Sequence, residues 1–253
     1  MHRLLLVAAL ALAACGPKKT PSTSPASGQM PAMPTAESLF EEADLAHYDD
    51  GKPRWVSSRT VMTGTMMNVG VTLTTEILPN NQTRMTTAMA GIGEIVKEYD
   101  GTHGWETHPL TGARLLPPEE IRGSLDLSDP TMLPFGARFP DATIAGREVF
   151  DGVDCYRVES TSVAGRSTTL WFEADTKLLR GTASVAEMGG QQVNAVNTFH
   201  DYKSFDGIQS ATVITTTIGE MEMVLTVQEV VMGWKGEPVT PSADVQALLD
   251  GMD

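Results

Sequence analysis

Apolar residues recur at every second position along much of this chain, and that period most narrows what it can fold into. In "NVGVTLTTEIL" (68–78), Val69, Val71, Leu73 and Ile77 share one parity, while Gly70, Thr72, Thr74 and Glu76 share the other. In "EMEMVLTVQEVVM" (220–232), Met221, Met223, Leu225 and Val227 alternate with Glu222, Thr226 and Gln228. A period of two places one set on each face of a β-strand and is incompatible with a helix stripe. Runs of the same type are "EIVKEY", "HGWETH", "DCYRVES", "STTLWFE", "KLLRGTASVAEM", "QQVNAVNTFHDY" and "SATVITTTI". Between them lie "LPNNQ", "YDGTHG", "LTGA", "VAGR", "EADTK", "EMGGQ" and "SFDG", short segments rich in turn residues. Connections this short suit hairpins, whereas parallel strands need crossovers of about a dozen residues or more. The expectation is a mainly β, antiparallel, meandering sheet.

A sheet with one apolar face must be covered. Helices are scarce, and three segments read as helical: "TAESLFEEADLAHY", with Thr35 as N-cap, Ser38 at the third helical position and an apolar stripe of Leu39, Phe40, Ala43 and Tyr48; "PPEEIRGSL" (117–125), with a proline entry and an acidic first turn; and "PSADVQALLDGM", which ends the chain with Ser242 as cap. A first helix and a mid-chain helix over a curved sheet is the economical arrangement.

The N-terminus has a different character. Arg3 precedes a continuous apolar run, Leu4 to Leu12, and Ala13 and Ala14 then lead into Cys15. About 7–15 apolar residues before a small-residue site describe an export signal, and the run is too short for a spanning helix of about 20. Residues 16–36, "GPKKTPSTSPASGQMPAMPTA", are dominated by proline, serine, threonine and alanine and cannot bury enough apolar surface to order themselves. The expected organisation is a signal peptide at 1–14, a modified cysteine and disordered linker at 15–36, and a β domain at 37–253.

"Leu12-Ala13-Ala14-Cys15-Gly16" resembles the lipobox of bacterial lipoproteins. The resemblance implies lipidation of Cys15, cleavage before it, and a membrane held through that lipid, since stable anchoring takes more than one acyl chain. Gly16 stands where an aspartate would signal inner-membrane retention, so the implied destination is the outer membrane, facing the periplasm. Cys155, the second of two cysteines, then has no free partner. It reads as a small buried residue of a strand, with a reactive thiol as the alternative.

Charge and motifs exclude several functions. The net charge is −14, and loss of residues 1–14 removes Arg3 and leaves the chain more acidic still. That opposes nucleic-acid binding, which requires a basic stripe. No Asp-x-Asp-x-Asp-Gly calcium loop, Gly-x-Ser-x-Gly elbow or His-Glu-x-x-His helix occurs. His103 and His108 have opposite parity on one strand and no further ligands nearby, and Glu119-Glu120 read as a helix start. No catalytic residue, metal site or cofactor is assigned, and the expectation is a protein that is not an enzyme. Trp105 reads as the packing tryptophan of a hairpin. Trp171 and Phe172 should face opposite ways, one to the core and one beneath a loop.

The order of the pieces resembles a family. "IVKEYDGTHGWETHPLTGARLLPPEE", "GREVFDGVDCYRVESTSVAGRSTTLWFEADTKLLRGTAS" and "FHDYKSFDGIQSATVI" are similar in sequence and spacing to LolA/LolB-like lipoproteins and the lipoprotein-sorting proteins related to them, over roughly 37–232. The resemblance implies a curved, half-open antiparallel β-barrel under a few covering helices, with an apolar concavity that takes acyl chains or lipoproteins. On the apolar parity of their strands, Val71, Leu73, Met223 and Leu225 are the candidates for lining it, and several of the fourteen methionines lie in or near strands as adaptable lining or ordinary filling. The alternative is a tethered interaction protein whose barrel is filled by its own side chains. Oligomeric state is left open.

Overall fold

The structure is a computed structural model that describes residues 33–51, 57–66, 68–118, 120–121, 134–163, 165–188 and 191–251. Cys15 and most of the linker lie outside the described residues, as do 122–125 of the expected mid-chain helix. The described fold is the compact unit Pro34–Asp253.

Thirteen strands form one antiparallel sheet, curved but not closed into a barrel. The first six run as one meander: β1 (Ser58–Met66), β2 (Val69–Leu78), β3 (Gln82–Met89), β4 (Gly93–Tyr99), β5 (Gly104–His108) and β6 (Gly112–Leu115). A second meander comprises β7 (Thr143–Phe150), β8 (Val153–Thr161), β9 (Ser167–Glu173), β10 (Leu179–Met188), β11 (Gln191–His200), β14 (Val213–Ile218) and β15 (Met221–Met232). The two join where β15 pairs along β1, from Ser58 opposite Met232 to Met66 opposite Met223, with a bulge between Val61 and Met62. A separate hairpin, β12 (Lys203–Phe205) and β13 (Ile208–Ser210), is inserted between β11 and β14. The sheet is therefore two meanders closed on each other in the middle, with β6 and β7 at its open edges.

Local chemistry accounts for the turns. Asp151-Gly152 and Asp206-Gly207 both have positive φ at both positions, the mirror-image turn that matches the twist of hairpin strands. At the β4–β5 connection the Asp100 carboxylate accepts hydrogen bonds from the Thr102 and His103 N–H groups, each at 2.7 Å.

Three helices are described in full. The first, α1 (Ala36–Ala46), starts in a reciprocal capping box between Thr35 and Ser38. It buries Leu39, Phe40 and Ala43 against α2 (Phe135–Arg138) and the inner residues Tyr156, Val158, Leu170 and Phe172 of β8 and β9. Phe135 stacks on Phe40 at 5.8 Å and meets Phe172 edge-on at 5.0 Å. Each such ring contributes roughly 1.5–3 kcal/mol by leaving water. A backbone bond from Asp49 N–H to the Gly207 carbonyl (2.9 Å) ties the end of α1 to the β12–β13 hairpin.

The other flank of the inner face is held by a helical turn at Pro117, where Ile121 N–H donates to the Pro117 carbonyl at 3.1 Å. Ile121 lies against Gly104, where a Cβ would sit 2.7 Å from its Cγ1. Glu120 of this turn accepts two bonds from Arg114, at 2.8 and 2.9 Å, which hold its carboxyl below the usual range. The C-terminal helix, α3 (Ala243–Asp250), lies on the opposite side of the sheet from α1 and the Pro117 turn, the two segments expected to cover the inner face. Capped by Ser242, it packs Val245 and Leu249 with Leu78, Trp105 and Leu115, residues of the parity opposite to Ile77, and so covers the convex face.

Candidate functional site

The strand register fixes which side chains share the concave face. Across the centre, Leu73 is opposite Met62, which is opposite Val227; Val71 is opposite Gly64, which is opposite Leu225. Met223 is opposite Thr216, then Asn197, then Thr182. The sheet curves around this face, and α2, the β12–β13 hairpin and the β8–β9 turn rise beside it. They leave a cavity of about 320 Å³.

Its lining changes along the sheet. On β1, β2, β3 and β15 it is mainly apolar, with Met62, Leu73, Ile77, Met85 and Leu225 beside the polar Ser58, Thr60 and Thr75. On β9, β10 and β11 it is more polar, with Thr168, Thr182, Ser184 and Asn197 beside Leu179 and Phe199. Asn197 links two neighbouring strands, donating to Thr182 Oγ1 at 3.1 Å and accepting from Thr216 Oγ1 at 2.8 Å. This row satisfies its own polar groups, as buried polar groups must.

Two charged residues complete the lining. Arg138, at the end of α2, is buried, with the Phe135 and Phe139 rings each centred 5.4 Å from its guanidinium carbon. Arg166 precedes β9. The backbone brings both to the same turn: the Arg138 carbonyl accepts from Val163 N–H at 3.0 Å, and the Arg166 carbonyl from Ser162 N–H at 2.8 Å. Asp44 of α1 accepts from Phe135 N–H at 3.1 Å. Burial pushes its carboxyl up to about 6, against the pull of that N–H and of the Arg138 charge.

Leu73, Met223 and Leu225, proposed from strand parity, all line the cavity. Val71 is buried on the same face but is not part of the lining; it lies one register step beyond Leu73, beside Gly64 and Met89. Among the described residues, the methionines that line the cavity are Met62, Met85 and Met223. The two arginines carry no pattern of their own in sequence. Arg138 sits in a four-residue helix too short to show a stripe, and Arg166 falls in "VAGR", which reads as a turn.

The remaining singled-out residues are elsewhere. Cys155 is a free thiol, fully buried in β8, and burial, then the nearby Glu173 charge, push it up to about 11. His103 is exposed in the β4–β5 turn, and His108 ends β5 and accepts from Leu110 N–H at 3.1 Å. Trp105 is buried under α3 and donates to Glu98 at 2.9 Å. Phe172 is in the core, whereas Trp171 stacks on Phe150 of β7 at 4.1 Å rather than packing beneath a loop. Among the described residues, no group of three or more His, Cys, Asp or Glu is placed to hold a metal ion, and no helix is long and apolar enough to cross a membrane.

No protein-family model matches the chain, and no curated protein matches it. Solved structures do. A LolA superfamily protein from Nitrosomonas europaea superposes with a TM-score of 0.54 at 13% identity, over 84% of this chain and 96% of that one. An outer membrane lipoprotein-sorting protein domain from Vibrio parahaemolyticus gives 0.52 at 13% identity, over 79% and 94%. A DUF1329 family protein from Desulfovibrio piger gives 0.50 at 17% identity, over 77% and 91%. At these identities the likeness speaks for architecture alone, and with the curved open sheet and inner-face helices it establishes that the chain has a LolA-like fold.

Proposed function

We propose that this protein is a non-catalytic binding protein that takes an acyl chain, belonging to a lipid or to a lipoprotein, into the concavity of its sheet. The observation that carries the reading is the cavity itself. About 320 Å³ remains between sheet and covering elements, at the lower end of the ~300–1,000 Å³ range of small-ligand sites. A barrel packed by its own side chains would leave few voids larger than a water molecule. The lining supports apolar cargo, because Leu73, Met62 and Leu225 present a continuous apolar surface whose removal from water is worth roughly 25 cal/mol per Å² before ordering costs. The similarity to a lipoprotein-sorting protein domain agrees with such a ligand.

The same reading places the protein outside the cytoplasm. "LAACG" supports export and lipidation at Cys15, and the 16–36 segment would serve as a spacer between an outer-membrane anchor and a periplasmic domain. The test of binding is titration of the full chain with a fluorescent long-chain fatty acid, alongside Leu73→Glu and Leu225→Glu. A carboxylate placed on this surface should abolish uptake while the β circular-dichroism signal is retained. Global unfolding of both variants would instead favour a filled core.

A further inference from the structure

Resting on the reading of the cavity as an acyl-chain site, we propose that the end of the bound chain passes beneath Ile121 into a second, smaller hollow, and that Met85, which stands between the two spaces, sets the length of chain the protein accepts.

The first ground is the continuity of the two spaces. Beside the cavity, over β3 and β4, lies a hollow of about 40 Å³. Thr75, Ile77 and Met85 line it, and the same three residues line the cavity, so they form the boundary between the two. The register sets that boundary out in two rows: Thr75 is opposite Met85, which is opposite Lys97, and Ile77 is opposite Thr83, which is opposite Tyr99. Of the described lining residues, Thr83, Tyr99, Leu116 and Ile121 belong to the hollow alone.

The roof depends on a missing side chain. Gly104 of β5 lets Ile121 of the Pro117 turn come down onto the sheet, where a Cβ would lie 2.7 Å from the isoleucine Cγ1. Leu116 is tied to the same residue, its N–H donating to the Gly104 carbonyl at 2.8 Å. Ile77, Met85, Leu116 and Ile121 give the hollow apolar surface among its threonines, and its charged neighbours are already paired, Arg84 with Glu76 and Glu98, and Lys97 with Glu106. An alkyl terminus therefore finds apolar contact here and breaks no ion pair. Lys97, Glu106, Arg114 and Glu120 form a charged network beside it. Stripping water from that network would cost more than a further methylene gains, so it ends the path.

The second ground is the character of the boundary side chains. Thr75 and Ile77 are β-branched and stiff at χ1. Met85 is unbranched and turns about three bonds, so it can fill the passage when the site is empty and lie along a chain that occupies it. Met62 and Met223 line the cavity away from this boundary.

The test uses the full chain loaded with a fluorescent acyl probe, displaced in turn by decanoate, myristate, palmitate, stearate and arachidate. Each buried methylene is worth up to roughly fourfold in affinity, so wild-type affinity should rise with chain length and level off once the hollow is filled. Met85→Phe blocks the passage and Thr83→Leu fills the hollow from the sheet. Each should weaken the longest acids by about tenfold or more and leave decanoate unchanged. Met85→Ala widens the passage and should move the levelling-off to longer acids by about two carbons. Retained decanoate binding shows that a variant is folded with its main cavity intact; if Met85→Phe does not fold, Met85→Ala and Thr83→Leu decide. Equal losses at every chain length, or a wild-type profile in either Met85→Ala or Thr83→Leu, overturns the inference and leaves the acyl-chain reading standing. Failure of the wild type to bind the probe and every acid overturns both.

Discussion

Leu225 fills the space that Gly64 leaves empty. The two are register partners on β15 and β1, and the leucine Cδ2 lies 3.1 Å from where a Cβ on Gly64 would be. The same Cβ would fall onto the Val224 carbonyl oxygen, so the crossing of β1 and β15 requires glycine at this point. The seam that joins the two meanders and one wall of the cavity thus depend on the same missing side chain.

Gly64→Ala should therefore destabilise the fold by about 1–3 kcal/mol, the usual cost of overpacking, and lower the urea midpoint without changing the slope. A midpoint equal to that of the wild type would mean that β1 and β15 do not approach as closely as described.

Asp44 makes a prediction about pH. Its carboxyl is raised to about 6 in the fold from an ordinary value of 3.8. Between these values the folded protein holds more protons than the unfolded chain, so this group lowers stability as pH rises through the window. Asp44→Asn removes that slope. Relative to wild type, the variant should gain stability between about pH 4 and pH 6.5, by on the order of 1 kcal/mol, once the full linkage is discounted for the group's partial exposure. A difference in stability that does not vary with pH would contradict the assignment.

Cys155 should react slowly with a thiol reagent in the native protein and rapidly in denaturant. Burial withholds it from reagent and, with its thiol pushed up to about 11, little thiolate forms even at pH 9. Rapid native labelling would show that the β8 backbone opens readily or that the thiol is exposed.

Cys15→Ser should release the protein from membranes and leave uncleaved or wrongly cleaved precursor. Detergent-phase partitioning with palmitate labelling reads this out. A variant that labels and partitions like wild type would remove Cys15 as the anchor.

What could be read from sequence follows from how local each signal is. Alternation along 69–77 and 221–227 assigns each side chain to a face, and Leu73, Met223 and Leu225 lie on the concave one for that reason. Alternation does not say which strand lies beside which, so the pairing of Ser58 with Met232, across most of the domain, is invisible locally. It also does not say where along a face a cavity ends, and Val71 falls just beyond it, next to Gly64. The capping box at Thr35 and Ser38 is legible because it is made within four residues. The side of the sheet on which α3 packs is not, because its apolar stripe would suit either face. Arg138 and Arg166 lie in short irregular segments, and only the backbone bonds from Val163 and Ser162 bring them to one end of the cavity.

The most direct test of the central claim, that the concavity holds an acyl chain, is native mass spectrometry of the full chain extracted from its own cells, before and after delipidation and reloading with palmitate. The account predicts a one-to-one adduct with the mass of an acyl-bearing lipid in the first spectrum. It predicts recovery of a one-to-one palmitate adduct in the last, and neither adduct in a folded Leu73→Glu variant. A wild-type protein that carries no adduct and takes up no palmitate would contradict it.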